Sequence, residues 1–419
     1  MFKSIDDIDV QDRIVLVRSD LNIPMRDGRI GDTTRLDRLS PTILTLTGKG
    51  ARVVILSHFG RPKGVVVPAM SLRPVAAALS GAIGGRPVAF AEDCIGATAQ
   101  SAVAAMAPGG VLVLENLRFH PGEEANDPGF AAKLAALGDI YVNDAFSTAH
   151  RAHASIDALA RLLPACAGRN MAAELKALSA ALDHPARPLA AIIGGAKVSS
   201  KLDVLGHLIE QVDCLIIGGG MANTFLYAQG TDVAKSLCEK DLADAARGIL
   251  ARAKDRGCAV LLPSDAVVAG ALEVGVATQT VPIGAVPEYS MVLDFGPDSI
   301  AAIEARLADC KTLVWNGPLG AFEVPPFDRA TTAVARAAAR LTASSTLITV
   351  AGGGDTVAAL AQAGAVDDFS YVSTAGGAFL EWLEGRILPG VAALENERQA
   401  SLVTAAARAA TTTAAKTQQ

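Results

Sequence analysis

The chain has 419 residues, enough for two domains of ordinary size with large cores. Hydrophobic residues make up 51% and charged residues 19%, which excludes a disordered chain and points to a soluble α/β protein with much buried sheet. The net charge of −6 argues against a nucleic-acid partner unless basic residues gather in one place, so their positions matter more than their sum.

The opening MFKSIDDIDV is acidic and lacks an apolar core, so it does not read as a signal peptide. Short apolar runs at 14–17, 53–56, 111–114 and 140–142 then alternate with polar loops and helical stretches. Continuous rather than alternating apolar strands predict a parallel sheet covered on both faces. In such sheets ligands sit at the carboxyl ends of the strands, so the residues just after each run carry the information. The first run is followed by RSDLNIP, with Arg18, Asp20 and Asn22, and then by Arg35. The second leads into SHFGRP, with His58 and Arg61, and the third into ENLRF, with Arg118. The fourth leads into NDAFSTAHRAHAS, with Asn143, Asp144, His150, Arg151 and His153. One loop arginine is ordinarily solvated. Basic side chains at four successive strand ends form a rim suited to a small, multiply anionic molecule, because guanidinium groups bind carboxylate and phosphate in pairs of hydrogen bonds. His150 and His153 have no third ligand at metal-site spacing, and His58 within a basic cluster reads as an anion-orienting group more than as a general base.

Residues 169–183, with Met171, Leu175, Leu178 and Leu182 at helical spacing, predict a helix that ends before Pro185 and Pro188 and connects two domains. The alternative is an ordinary amphipathic helix on one of them. Next comes AAIIGGAKVSSKL: a buried strand, the Gly194–Gly195 turn, and a helix predicted to begin near Ala196. That helix would place Lys197 and Lys201 on one face beside its positive end, a site for a polyanion. Taken alone, two solvated surface lysines explain the stretch equally well. The segments that follow decide against that, since strands ending in glycines recur at 218–220, 352–354 and 376–377. In GGGDT, Asp355 at a helix start is placed to cap the helix, to hold a Mg²⁺ ion on phosphates, or both. The loop WNGPLGAFE, with Asn316 and Glu323, suits a ribose or base.

The six scattered cysteines show no CxxC and no pairing with histidine, which fits reduced thiols and offers no zinc site. Two long uncharged runs, 94–114 and 214–231, are broken by glycine and proline or by glycines and do not read as membrane spans. Neither a Walker A pattern nor a GxGxxG is present.

The stretches VRSDLNIP, SHFGRP, LENLRF, YVNDAFSTAHRAHAS, GGAKVSSKL, GGGMANTFL, VWNGPLGAFE and GGGDT, in this order and spacing, closely resemble the phosphoglycerate kinase family over about residues 3–394. The resemblance implies two doubly wound parallel-sheet (Rossmann-like) α/β domains in a bilobal molecule with a cleft. A 3-phosphoglycerate-binding domain would span 1–168 and recruit the chain end from about 386 to 419. An inter-domain helix would cover 169–184 and a nucleotide-binding domain 185–385. It further implies a cytoplasmic, monomeric, hinge-bending enzyme of glycolysis, gluconeogenesis or carbon fixation, with Mg²⁺ accompanying ATP or ADP and no nucleic-acid or membrane partner. Carried over motif by motif, Asp20, Asn22, Arg35, His58, Arg61, Arg118 and Arg151 would bind the glycerate. Lys197, Lys201, Gly296, Asn316, Glu323, Gly353, Gly354, Asp355 and Thr356 would bind nucleotide, with Asp355 at the metal. Arg35, Lys197, Lys201, Gly376 and Gly377 would cover charge on the moving phosphoryl group.

Two departures stand out. STAGGA replaces the more usual run of three glycines, which would strain Ala375 if a positive φ were required there. A tail over 395–419 extends past the usual family end, expected as a surface helix or partly disordered chain. The competing readings are a dinucleotide-dependent oxidoreductase, disfavoured by the absent GxGxxG, and a catalytically silent scaffold, disfavoured by the presence of Arg35, Lys197, Lys201 and Asp355. Whether ADP or NAD raises the melting temperature separates the kinase from the oxidoreductase.

Overall fold

Runs such as IVLVR and VLVL have no polar alternation, so they can be buried only in a sheet covered on both faces. In the computed structural model, which describes residues 2–26 and 29–395, they form such a sheet. The sequence-predicted tail beyond residue 395 lies outside the described residues. The first sheet has six parallel strands in the order Val88–Ala91, Val111–Leu114, Arg52–Leu56, Ile14–Arg18, Ile140–Asn143, Ala165–Ala167. Two of these escape the reading of apolar runs. Val88–Ala91 is a half-exposed edge strand, and Ala165–Ala167 has three residues of small or modest side chain. Strand Ile14–Arg18 pairs on one side with Arg52–Leu56 and on the other with Ile140–Asn143, so the chain first builds outward one way and then returns to build the other. That reversal opens a crevice beyond the carboxyl end of Ile14–Arg18. Helix Thr34–Gly48 closes one face, packing Leu36, Leu39, Ile43 and Leu46 against Val15, Val17, Val53 and Ile55.

The helix predicted over 169–183 is an α-helix, Arg169–Leu178, continued by one π-helical turn, Ser179–Asp183. Met171, Leu175 and Leu178 are buried, and Asp144 accepts the Met171 N–H at 3.1 Å near the helix start. The chain divides into two compact units inside this helix. Residues up to Ala173 group with those from Ile387 onward, and Glu174–Arg386 form the second unit.

The second unit repeats the layout. Its parallel sheet runs Ala259–Leu261, Cys214–Ile217, Leu189–Ile193, Thr312–Asn316, Ile348–Gly352, Tyr371–Ser373, with the reversal between Leu189–Ile193 and Thr312–Asn316. A separate antiparallel sheet of three strands, Gln279–Pro282, Asp265–Ala269 and Met291–Phe295, stands beside it. At the reversal the two strand-end turns touch. A Cβ on Gly194 would overlap the Pro318 carbonyl, and one on Gly317 (φ +101°) would overlap Gly194 O, so both positions demand glycine.

The helix expected from Ala196 begins later. Val198–Ser200 form a 3₁₀ turn and the α-helix runs Leu202–Leu208. Ser199 is drawn away through its N–H (2.9 Å) and hydroxyl (2.6 Å) to Glu239, and the Ser200 hydroxyl donates to Lys197 O, so the local bonds are those of a turn. Lys197 and Lys201 therefore do not share a helix face. No helix among the described residues is long and apolar enough to cross a membrane.

Candidate active site

The carboxyl end of the first sheet gathers the basic residues of the loop motifs. Arg35, in the first turn of its helix, donates from Nη1 to Asp20 Oδ1 at 2.7 Å and to Asn22 O at 2.8 Å. Asp20 also accepts the Ser147 hydroxyl at 2.6 Å, which ties the loops after two neighbouring strands. Asn22 Oδ1 accepts the Gly60 N–H at 2.9 Å while Arg118 donates to Gly60 O at 2.8 Å, so the SHFGRP loop is held from both sides. His58 and Arg118 are buried, Arg151 is half-buried, and Arg61 is exposed just past Gly60. Burial and the charges of Arg18, Arg118, Arg151 and Arg35 push the His58 imidazole well below its usual range, so it is neutral at physiological pH. His153 is lowered to about 4, first by burial and then by arginine neighbours. Asp20, Glu123 and Glu124 offset part of this positive charge. The remainder favours an anion.

In the second unit the site forms at the sheet reversal. Lys201 Nζ donates to Asn316 Oδ1, and Asn316 Nδ2 donates to Gly352 O at 2.8 Å. The Gly317 N–H donates to Thr356 Oγ1 at 2.7 Å, so Asn316 and Thr356 are buried groups that lock two strand ends together. Burial lowers Lys201 to about 8, with Asp355 opposing it. Gly353, at φ +98°, turns its strand directly into helix Gly354–Ala363, whose first turn carries the exposed Asp355. A cavity of about 320 Å³ opens here. Gly195, Ala196, Glu323 and Asp355 form its polar side, while Leu237, Leu272, Met291, Val292 and Phe322 form an apolar one. The apolar wall suits a flat apolar group, whereas the carboxylates of Glu323 and Asp355 repel a polyanion unless a cation stands between them.

Other expected residues lie apart from the cavity lining. Lys197 is exposed in extended backbone. Gly296 precedes helix Pro297–Asp309, where a Cβ would overlap the Asp265 carboxylate that accepts the Ser299 N–H at 2.8 Å. The close approach of Asp265 alone requires glycine at this position. Gly376 and Gly377 open helix Gly376–Leu383, and Ala375 sits at φ −96°, so the substitution in STAGGA carries no backbone strain.

Sequence reasoning missed the apolar wall and Asp294, whose carboxyl lines the cavity and is pushed up to about 7 by burial. The wall comes from the antiparallel sheet and distant loops, with no shared spacing that would mark it. Cys94 does approach a histidine, contrary to the reading of cysteine spacing: Asp93, Cys94 and His120 place ligand-type atoms within 4.8 Å of one another. Asp93 Oδ1 there accepts the Cys94 N–H at 2.6 Å and lies 2.7 Å from His120 Nε2, a hydrogen-bonded turn.

The family model described as phosphoglycerate kinase matches residues 5–386. A phosphoglycerate kinase of Ruegeria sp. (strain TM1040) is 62% identical over 394 residues, covering 94% of this chain and 99% of the relative. One from Methylorubrum extorquens (strain PA1) is 60% identical, covering 94% and 98%. Among solved structures, phosphoglycerate kinase from Coxiella burnetii matches with a TM-score of 0.89 at 42% identity, covering 95% of this chain and 100% of that one. The Pyrococcus horikoshii OT3 enzyme matches with a TM-score of 0.77 at 30% identity, covering 94% and 98%. Likeness in sequence and in fold thus runs over nearly the whole of both partners, and this chain belongs to the phosphoglycerate kinase family.

Proposed function

We propose that the chain catalyses reversible phosphoryl transfer from 1,3-bisphosphoglycerate to MgADP, giving 3-phosphoglycerate and ATP. One observation supports this beyond family membership: basic groups stand at the reversal of each parallel sheet, arginines in the first and Lys201 beside glycine turns in the second. We assign the glycerate to the first unit, with Asp20, Asn22, Arg35, His58, Arg61, Arg118 and Arg151. The nucleotide goes to the second, with Lys197, Lys201, Gly296, Asn316, Glu323, Gly353, Gly354, Asp355 and Thr356, its base against the apolar wall.

The chemistry fits these groups. In the ATP-consuming direction the nucleophile is a carboxylate, already ionised at neutral pH, so no general base is needed. A neutral His58 accords with a binding role. Positioning and cover for negative charge remain to be supplied. Arg35 acts from the glycerate side, and Lys197, Lys201 and the Gly376 and Gly377 amides act from the nucleotide side. Asp355 offers one exposed carboxylate at the cavity edge, and one carboxylate completed by phosphate oxygens and water suits Mg²⁺, so Asp355 would hold it. The bound ion would neutralise charge on the phosphate oxygens. In-line transfer requires donor and acceptor to meet, which we assign to hinge closure. A cytoplasmic monomer is the form we propose.

The test is a coupled assay of 3-phosphoglycerate with MgATP on the parent and on Lys201→Ala. Turnover in the parent that the substitution abolishes or strongly reduces supports both the reaction and the phosphate-side assignment. Turnover indifferent to the substitution refutes the role of Lys201. A folded parent that binds ADP without turnover refutes the reaction.

A further inference from the structure

We propose that Arg18, braced by Glu123 through Ser155, fixes His58 in the tautomer that carries its proton on Nε2, so that the ring meets the glycerate as a neutral hydrogen-bond donor. The glycerate contact rests on the function proposed above; the tautomer does not.

Arg18 ends strand Ile14–Arg18 and is wholly buried. Its guanidinium has donors only, and Nη2 lies 3.2 Å from His58 Nδ1. Two N–H groups cannot share that contact, so Nδ1 accepts and the imidazole proton resides on Nε2. Protonating the ring would set one cation's N–H against another's. Burial and, after it, the charges of Arg18, Arg118, Arg151 and Arg35 oppose protonation, while the carboxylates nearby, Asp20 on Arg35, Glu124 on Arg118 and Glu123 behind Ser155, offset only part of that charge. Nε2 makes no hydrogen bond to another described residue and is the ring's remaining polar atom within the arginine cluster.

The geometry holds only if Arg18 cannot swing. Its Nη1 donates to Ser19 O and its Nε donates to Ser155 Oγ at 2.8 Å. The Ser155 hydroxyl, having accepted from Arg18, donates its own hydrogen to Glu123 Oε1 at 2.6 Å. Glu123 Oε2 accepts the Ser155 N–H at 2.9 Å, and Tyr141 Oη donates to Ser155 O at 2.8 Å. Glu123 and Ser155 are both 0% exposed. Hydrogen-bond direction is therefore determined along the whole chain, from Arg18 through Ser155 to Glu123 on one side and from Arg18 to His58 on the other. A buried carboxylate balances a buried guanidinium through one hydroxyl. Neither Glu123 nor Ser155 reaches the reacting groups; both are positioning residues.

The experiment is NMR of the full chain labelled with ¹⁵N-histidine, reading both His58 ring nitrogens from about pH 5 to 9 without substrate, with His58→Gln to assign them. The parent should show a single Nε2–H tautomer that does not titrate. In Ser155→Ala the ring should become a tautomer mixture that begins to titrate. The KM for 3-phosphoglycerate should rise roughly five- to tenfold with kcat nearly unchanged, the size of one lost hydrogen bond, and Ser155→Thr should restore both. Glu123→Gln supplies the same ring readout if Ser155→Ala does not fold. An Nδ1–H ring in the parent overturns the proposal, as does a ring signature unmoved in both folded variants. A parent with normal tautomer but no 3-phosphoglycerate-dependent turnover refutes the functional reading and leaves the brace standing.

Discussion

Lys201 should give nucleotide binding a pH dependence of calculable size. Burial lowers its pKa from 10.5 to about 8, and Asp355 recovers only part of the loss. By the usual conversion, the empty fold prefers the neutral amine by roughly 3 kcal/mol relative to water. About nine-tenths of the protein carries the ammonium at pH 7, about half at pH 8 and about a tenth at pH 9. Polyphosphate beside Nζ selects the charged form, so Kd for MgADP should be flat below about pH 7 and rise about tenfold per unit well above pH 8. Binding at pH 8 should take up about half a proton. Titration calorimetry at pH 8 in buffers of contrasting ionisation enthalpy reads that uptake directly, with Lys201→Met as control. No uptake, or equal uptake in the control, would refute the reasoning. The same shift has a stability counterpart. An unfolded lysine keeps its proton to about 10.4, so between about pH 8 and 10.4 the unfolded chain binds more protons than the fold, and this residue's contribution to stability rises with pH.

Gly194→Ala forces a Cβ into the Pro318 carbonyl, which should cost roughly 2–3 kcal/mol and lower Tm by several degrees. An unchanged Tm by calorimetry would show that the two strand-end turns separate easily. Asp355→Asn should leave Tm within about a degree but remove about tenfold of the tightening that Mg²⁺ gives to ADP binding, measured with and without EDTA. If Mg²⁺ tightens ADP as before, another group holds the ion. Asp20→Asn weakens the 2.7 Å pairing to Arg35 and should raise the KM for 3-phosphoglycerate about tenfold while sparing ADP affinity. An equal loss in ADP affinity would contradict the assignment of glycerate to the first unit.

Properties carried by neighbouring residues were legible without the fold. Runs such as IVLVR and LAAII had to be interior parallel strands, because nothing polar alternates in them. The glycines at 352–354 before Asp355 read as a strand turning into a helix, because glycine alone takes positive φ freely, and Gly353 takes it at +98°. Arg18 ends one such strand and Asp20, His58, Arg118 and Arg151 come after strands, so the parallel sheet places them along one edge. The tertiary structure alone decided what depends on segments far apart in the chain. Strand order put the reversal of the second sheet between residues 193 and 312, and with it the site. Contact with Glu239 delayed the helix after Gly195, and contact with Asn316 drew Lys201 inward while Lys197 stayed exposed. Glu123 and Ser155 look like ordinary surface polar residues in sequence. They become a buried brace because the strand order brings the loops of residues 123 and 155 against the end of Ile14–Arg18, and the charge buried there has no solvent to answer it.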